Sequence, residues 1–315
     1  MHAGVPVAVV VPAFNEQLLI TRAVETVPEI VDYIIVVNDG SSDETGPILD
    51  RLTASEPRLT PIHLTPNRGI GGALKAGYRY ALDHTDAQII GTLAGDAQCD
   101  PTYIPEMLEV FTREQLDFVK ATRFRHKEAL RAMPTYRGIG NRVITVLTSI
   151  STGYYNLTDS QNGYGFFSRG VFERLDWDLV GERYDYENTM LTALARLDAK
   201  LLEVGVPAIY GQETSTIKFL PTTVRALKAV SSGFAQRYAQ HARTAGLDAF
   251  TGLIAAGASL NTVGAAVAGS GVLGRRASWR RSGFTLAAAG TAALVAGIGV
   301  DARNVQRRRR CGRSV

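Results

Sequence analysis

The segment Thr92-Leu93-Ala94-Gly95-Asp96-Ala97-Gln98-Cys99-Asp100-Pro101 follows an apolar run, residues 87–93, that reads as a buried strand. It precedes a helix that opens after Asp100 with Pro101 in its first turn. A carboxylate at the C-terminal end of a strand in an open α/β sheet sits where such folds bind ligands. Asp96 and Gln98 are two residues apart, so in an extended segment their side chains face the same way. Two oxygen ligands on one face suit a hard divalent cation, and that cation can hold a diphosphate. The same residues also suit a plain strand-to-helix loop whose aspartates only cap. The surrounding chain has to separate the two readings.

On the N-terminal side, Val7-Ala8-Val9-Val10-Val11 is the continuous apolar run expected of an inner parallel strand buried on both faces. Pro12-Ala13-Phe14-Asn15-Glu16 is the turn after it, and residues 17–27 read as a helix. Residues 33–37 form a second buried strand that ends in Asn38-Asp39-Gly40-Ser41-Ser42-Asp43, residue types that favour turns and leave backbone N–H groups free. Asp43 is expected to cap a helix that runs to about residue 54. Residues 59–64 read as a short strand. Asn67-Arg68-Gly69-Ile70-Gly71-Gly72-Ala73 then opens a helix to about residue 84, and N–H groups at a helix start favour anions. This is not the dinucleotide fingerprint, because the glycine spacing differs and the glycines follow a loop rather than the first strand. Residues 118–122 are a further strand. Strands alternating with helices imply an α/β fold with a mainly parallel sheet and helices on both faces. The strand ends at Asn15/Glu16, Asp39 and Asp96 then converge on one crevice.

Composition agrees with a folded enzyme. Charged residues are 20% and hydrophobic residues 45% of 315, which excludes a disordered chain. The net charge is +4, and much of the basic excess lies in the tail with Arg303, Arg307, Arg308, Arg309, Arg310 and Arg313. Such a tail suits anionic lipid; no interleaved aromatics support nucleic-acid binding. Cys99 and Cys311 lie in unrelated contexts, so neither a disulfide framework nor a zinc site is expected. The first strand begins with no basic, apolar leader before it, so no signal peptide is expected.

Four motifs in this order carry a resemblance: Val-Val-Val-Pro-Ala-Phe-Asn-Glu (9–16), Ile-Val-Val-Asn-Asp-Gly-Ser-Ser-Asp-Glu-Thr (35–45), Asn-Arg-Gly-Ile-Gly-Gly-Ala (67–73) and Gly-Asp-Ala-Gln-Cys-Asp-Pro (95–101). Over residues 5–220 the chain resembles the family 2 glycosyltransferases, and among them the polyprenyl (dolichyl) phosphate mannosyl- and glucosyltransferases. The resemblance implies a glycosyltransferase A-type fold, a nucleotide-sugar donor and inversion at the sugar carbon. It places Pro12, Ala13, Asn15 and Glu16 along the nucleotide and Asp39 at the base, with Gly69 and Lys75 as further donor contacts. It makes Asp96 a donor contact and, with Gln98, a ligand of Mg²⁺ or Mn²⁺. The family's Asp-x-Asp reads Ala94-Gly95-Asp96 here, so the first carboxylate is missing.

Arg123, Arg125, Lys127 and Arg131 lead into a helix over residues 136–150, with Ile139, Val143, Val146, Leu147 and Ile150 at helical spacing and Arg137 and Arg142 within it. This suits either a core-packing helix with solvated arginines or an interfacial helix whose arginines meet a lipid phosphate. The family's acceptor segment lies here, which makes Arg123, Arg137 and Arg142 candidates for the acceptor phosphate. Thr158-Asp159-Ser160-Gln161-Asn162-Gly163-Tyr164-Gly165-Phe166 resembles the family's acceptor-side aspartate motif, placing Asp159 near the reacting phosphate or the sugar; the plain alternative is a turn before a Gly-rich strand. Asp185 and Glu187 open a helix, where acidic residues are ordinary, and in related sequences an acidic residue here contacts the donor sugar. In the loop after the strand at 201–206 the family often has an arginine; Gln212-Glu213 stands in its place, with Lys218 further on.

The chain then changes character. Residues 247–273 carry no charge except Asp248, and residues 283–300 carry none. Each is about long enough to cross a hydrocarbon core, and both are rich in Ala and Gly, which permits close helix contact. They read as a transmembrane hairpin behind a catalytic domain at 1–219 and a juxtamembrane helix at 220–246, with hairpin helices over 247–300 and the basic tail at 301–315. Arg225, Lys228, Arg237, Arg243 and the six tail arginines outnumber Arg275, Arg276, Arg280 and Arg281, which places the catalytic side in the cytoplasm. The alternative is a soluble Ala/Gly pair that packs on the domain or mediates homo-oligomerisation.

Transfer from a nucleotide sugar requires that the leaving diphosphate be neutralised and the acceptor oxygen be placed behind the anomeric carbon. A metal at Asp96/Gln98 does the first and phosphate-binding arginines the second. A phosphate acceptor is already ionised and needs no strong base; a hydroxyl acceptor would need Asp159 or Glu187 as base. The expected activity is transfer of a hexose from a GDP- or UDP-sugar to polyprenyl phosphate at the inner membrane, with Asp96, Asp159 and Glu187 as the catalytic candidates. The alternatives are transfer to a hydroxyl of a lipid-linked glycan, and an inactive membrane-tethered nucleotide-sugar binder, which Ala94 motivates.

Overall fold

The computed structural model describes residues 1–125, 135–207, 209, 219–246, 248–273 and 277–311. They fall into two compact units, Met1–Gly233 and Phe234–Val315.

Among the described residues, the first unit holds seven strands: β1 Val7–Ala13, β2 Tyr33–Asp39, β3 Leu59–Leu64, β4 Ile89–Thr92, β5 Phe118–Thr122, β6 Gly165–Ser168 and β7 Leu201–Gly205. They form one sheet in the order β3-β2-β1-β4-β6-β5-β7. β6 runs antiparallel to β4 and β5, and the other pairs are parallel. The helices of this unit are α1 Ile20–Glu25, α2 Thr45–Leu52, α3 Ile70–His84, α4 Ile104–Arg113, α5 Thr135–Thr152, α6 Arg169–Arg174 and α7 Tyr186–Arg196. A longer helix, α8 Phe219–Ala245, runs past the boundary between the units.

Alternation along β1 sorts the core into two layers. Val7, Val9 and Val11 join Ile34 and Val36 of β2 under Ile20 and Val24 of α1, Leu49 of α2 and Leu108 of α4. Ala8 and Val10 join Ile35 and Val37 on the other face, under Leu74 and Tyr78 of α3 and Met190 and Leu194 of α7. Each fully buried aliphatic side chain of this kind is worth about 1.5–3 kcal/mol. The close fit needs glycine at two places on this sheet. Phe166 lies over Gly91, and α3 approaches β1 so closely at Gly77 that a Cβ there would collide with Val10.

Helix α1 starts later than its sequence pattern suggests. The backbone N–H groups of Asn15, Glu16 and Gln17 donate instead to Ser41 Oγ (2.9 Å), Thr45 Oγ1 (2.8 Å) and Asp43 Oδ2 (3.2 Å). Asn15 takes the left-handed conformation at φ 56°. The loop after β1 is thereby sewn to the loop after β2.

In the second unit, α9 Ala249–Leu273 and α10 Ala277–Cys311 pack along each other. Spans Ala249–Ser270 and Arg281–Val305 are long and apolar enough to cross a membrane, with mean hydropathy 1.4 and 1.7. Glycines seven residues apart line the contact: Gly257 and Gly264 on α9, and Gly283, Gly290 and Gly297 on α10. A Cβ on Gly264 would lie 2.6 Å from Ala287 N, and one on Gly290 2.7 Å from Gly257 O, so backbone meets backbone. Asn261 donates to the Gly257 carbonyl (3.0 Å) and accepts from Thr291 Oγ1 (3.3 Å). At one end Arg237 donates from Nη2 to both oxygens of Asp301 (2.7 Å each), and Asp248 caps α9 by accepting from Thr251 N (2.9 Å).

Gly77→Ala is expected to cost about 1–3 kcal/mol through overpacking and to lower the thermal midpoint by roughly 3–10 °C. A Cβ on Gly170 meets nothing within 4 Å, so Gly170→Ala should leave the midpoint unchanged or slightly raised. Circular dichroism melts of the two variants check this, and a wild-type midpoint for Gly77→Ala would contradict the packing.

Candidate active site

The C-terminal ends of β1, β2 and β4 bring one group of residues together. Gly95 N donates to the Pro12 carbonyl (3.3 Å), and a Cβ on Gly95 would lie 2.8 Å from that oxygen. The Asp96 loop therefore lies directly on Pro12 and Ala13. The expectation of an extended Asp96–Gln98 segment is corrected here: Ala97 has φ 54°, and Gln98 N donates to Asp96 Oδ1 (3.0 Å), so the segment is a tight turn. The carboxylate holds its own loop, which is why the period-two argument fails. Asp100 caps the following single turn by accepting from Thr102 N (3.0 Å). Burial first, and then the neighbouring charges of Asp96 and Asp43, push Glu16 up to about 7. Burial also pushes the Cys99 thiol up to about 12, so it is an inert core group.

Among the described residues no three His, Cys, Asp or Glu side chains converge as a metal cage. One carboxylate and one amide, beside the acidic Glu16, are instead a hard-oxygen set. It fits a divalent cation that takes its remaining ligands from a bound diphosphate and water.

Asp39 is buried and spends both oxygens inside the protein. Oδ1 accepts from Arg68 N and Oδ2 from Gly69 N, each at 2.7 Å, and its carbonyl accepts from Asn67 Nδ2 (2.8 Å). Gly69 needs its left-handed φ of 85°, and a Cβ on Gly71 would collide with the Gly181 carbonyl. Gly72 N donates to the Glu182 carbonyl (3.0 Å). Much of the anion-seeking N–H set at the start of α3 is thus satisfied by the chain's own oxygens. Lys75 stands half-exposed one turn into α3.

A second group lies at the ends of β5 and β7 and in the loop before β6. Asp159 is 0% exposed and accepts from Arg123 Nε (2.7 Å) and Nη2 (2.9 Å). Burial pushes this carboxyl up, but the Arg123 charge and hydrogen bonds outweigh it and hold the group below the ordinary aspartate range. Glu203 on β7 accepts from Thr158 N (2.8 Å), Thr158 Oγ1 (2.6 Å) and Asp159 N (3.1 Å). Lys120 on β5 is buried, and its ammonium donates to the Asn162 carbonyl. Glu187, half-buried in the first turn of α7, is pushed up to about 7 by burial, against the pull of Lys120 and Arg123. Tyr164 Oη donates to the Asp100 carbonyl (3.1 Å), tying this group to the end of the Asp96 loop. Lys120 and Glu203 escaped the sequence reading, although each is a charge in the middle of an apolar strand and so carried a signal.

The helix after Arg123 shows its faces inverted. α5 buries Thr145, Thr148, Ser149 and Thr152 and exposes Ile139, Val143 and Val146 at 54–59%. Thr148 Oγ1 donates to Asn188 Oδ1 (2.8 Å) and Thr145 Oγ1 accepts from Ser160 N (3.0 Å), so the polar side is built into the protein. Arg142 is exposed over the Phe124 ring, 5.6 Å from its centroid. The Arg137 side chain, Lys127, Arg131, Gln212, Glu213 and Lys218 lie outside the described residues.

A family model, that of glycosyl transferase family 2, matches residues 8–176. The chain is 27% identical over 214 residues to the UDP-N-acetylglucosamine–dolichyl-phosphate N-acetylglucosaminyltransferase of Methanococcus voltae, across 64% of this chain and 84% of that protein. It is 28% identical over 205 residues to the undecaprenyl-phosphate mannosyltransferase of Micrococcus luteus, across 64% and 82%. The structure of glucosyl-3-phosphoglycerate synthase from Mycobacterium tuberculosis, in complex with Mn²⁺, UDP and its glucosylated product, overlays with a TM-score of 0.53 at 19% identity, covering 74% of this chain and 81% of that one. That last likeness is one of fold. With the family match spanning more than half of its length, and with the strand ends of an open, mainly parallel sheet carrying the matched motifs, the chain belongs to glycosyl transferase family 2 and is a glycosyltransferase of A-type fold.

Proposed function

We propose that the enzyme moves a hexose from a nucleotide sugar to polyprenyl phosphate, by a single inverting displacement at the cytoplasmic face of a membrane. The observation that carries the lipid acceptor is α5, which turns an apolar stripe outward directly after the Arg123 segment. A water-soluble acceptor gives no reason for Ile139, Val143 and Val146 to face solvent; a lipid surface does. The two apolar helices of the second unit supply an anchor to the same surface, and two relatives act on dolichyl and undecaprenyl phosphates by name.

In this reading Pro12, Ala13, Asn15 and Glu16 line the nucleotide, with Asp39 beside them at the base and as the clamp on the Gly69 loop. Asp96 and Gln98 hold Mg²⁺ or Mn²⁺; when bound, the cation neutralises the charge growing on the leaving diphosphate. Arg123, kept in orientation by Asp159, acts with Arg137 and Arg142 to place the acceptor phosphate behind the anomeric carbon. The ionised phosphate attacks without a strong base. Glu187 accepts hydrogen bonds from hydroxyls of the donor sugar.

Asp96→Asn is expected to lower label transfer from nucleotide sugar into polyprenyl phosphate about 10²–10³-fold, and a chelator should do the same to the parent enzyme. Membranes assayed in parallel with labelled GDP-mannose, UDP-glucose and UDP-N-acetylglucosamine name the donor. Full turnover of Asp96→Asn would sink the ligand assignment. Separately, Val143→Glu/Val146→Glu should raise KM for long-chain polyprenyl phosphate in vesicles at least about 10-fold while a short, water-soluble prenyl phosphate is used normally. Equal loss on both acceptors would mean that α5 does not serve the lipid.

A further inference from the structure

We infer that Lys120 is a positioning residue of this reaction: its buried ammonium fixes the Asn162–Gly163 turn beside Glu187 and supplies the positive charge that keeps that carboxylate an acceptor for the donor sugar. The inference rests on the reading of Glu187 as a sugar contact.

Lysine in the middle of a strand is a costly choice. Lys120 sits between Val119 and Ala121 in the most buried part of β5 and is 2% exposed. An ammonium there loses its hydration and has to be repaid by partners. Burial pushes it below the ordinary lysine range, while Asp159 and Glu203 pull it back. The packing of β5 does not require it, because an aliphatic residue would satisfy the strand at lower cost.

Its contacts show what it serves. The ammonium donates to the carbonyl of Asn162. The next residue, Gly163, lies against α7, where a Cβ would stand 3.6 Å from Glu187 Oε1. Asn162 also accepts from Tyr164 N through Oδ1 (3.1 Å), so the turn is held from both sides. Lys120 therefore fixes the wall against which the Glu187 carboxylate rests.

The charge inventory around that wall is short. From β5 and the turn after it come Lys120 and Arg123; from the loop before β6, Asp159; from β7, Glu203; from α7, Asp185 and Glu187, with the neutral hydroxyls of Tyr78 and Tyr186 close by. Arg123 is engaged with Asp159 in a two-pronged pair. Glu203 is held by backbone N–H groups and a hydroxyl rather than by a cation among its hydrogen-bond partners. Lys120 is thus the cation that offsets the remaining negative charge. Without it, Glu187, already pushed up to about 7, is the carboxyl that takes a proton. A protonated Glu187 loses acceptor capacity towards sugar hydroxyls.

The sign follows. Activity carried by ionised Glu187 falls as pH drops through its titration, and removing the nearby cation moves that fall to higher pH. The test is kcat/KM for the donor from pH 5.5 to 8.5 in the full-length parent enzyme and in Lys120→Met, Lys120→Gln, Lys120→Arg and Glu187→Gln, each with its thermal midpoint. The parent should show an acid limb near 7, and Glu187→Gln a reduced rate without that limb. Lys120→Met and Lys120→Gln should shift the limb upward by about one unit, losing roughly 10-fold at pH 7 and recovering most of it at pH 8.5. Lys120→Gln keeps a donor for the Asn162 carbonyl and stands in where Lys120→Met fails to fold. Lys120→Arg should keep the parent limb. A merely structural defect would lower the rate equally at every pH. An unmoved limb in Lys120→Gln, with the limb abolished in Glu187→Gln, overturns the role of Lys120. A normal limb in Glu187→Gln overturns the reading of Glu187 itself.

Discussion

Strand β1 has no face to give to water. All of Val7, Ala8, Val9, Val10 and Val11 are fully buried, so helices must cover the sheet on both sides, and the crossovers that carry them put every polar turn at the same ends of the parallel strands. The position of the site follows from that constraint. Pro12, Asp39 and Asp96 are far apart in sequence and meet because β1 is flanked by β2 and β4 with β1 pairing to both.

The carboxylates that gather there are unequal. Asp39 and Asp159 are the most firmly held, one by backbone N–H groups and the other by a guanidinium, and both act as fixtures that orient something else. Glu16 and Glu187 are only half-buried and are pushed up towards neutrality. Environments that separate like groups in this way divide an active site into scaffold and chemistry. Asp96 stands between them: one oxygen closes its own turn, yet the group stays accessible at the rim of the cleft.

The sheet was legible because buried parallel strands announce themselves as unbroken apolar runs; residues 59–64 and 118–122 were placed to the residue. The motif residues were legible through the family pattern. What was not legible depended on partners distant in sequence. The late start of α1 follows from hydrogen bonds to Ser41, Asp43 and Thr45, which no local propensity encodes. The turn at Asp96 depends on a left-handed alanine, a conformation that sequence statistics assign to glycine or asparagine. For α5 the periodicity was plain, but a helical stripe says only that one face differs from the other; contacts of Thr145 and Thr148 were needed to show that the polar face is the inner one.

The glycine spacing of α9 and α10 has a consequence for lipid traffic. Where Gly257, Gly264, Gly283 and Gly290 bring backbone against backbone, no side chain stands between the two helices to be pushed aside. In a bilayer such a pair is a sealed rod: it offers no seam through which an acyl or prenyl tail could thread. A long-chain acceptor must lie along its outer surface, where Phe284 and Val295 project, and can diffuse away sideways after each turnover without any helix parting to release it.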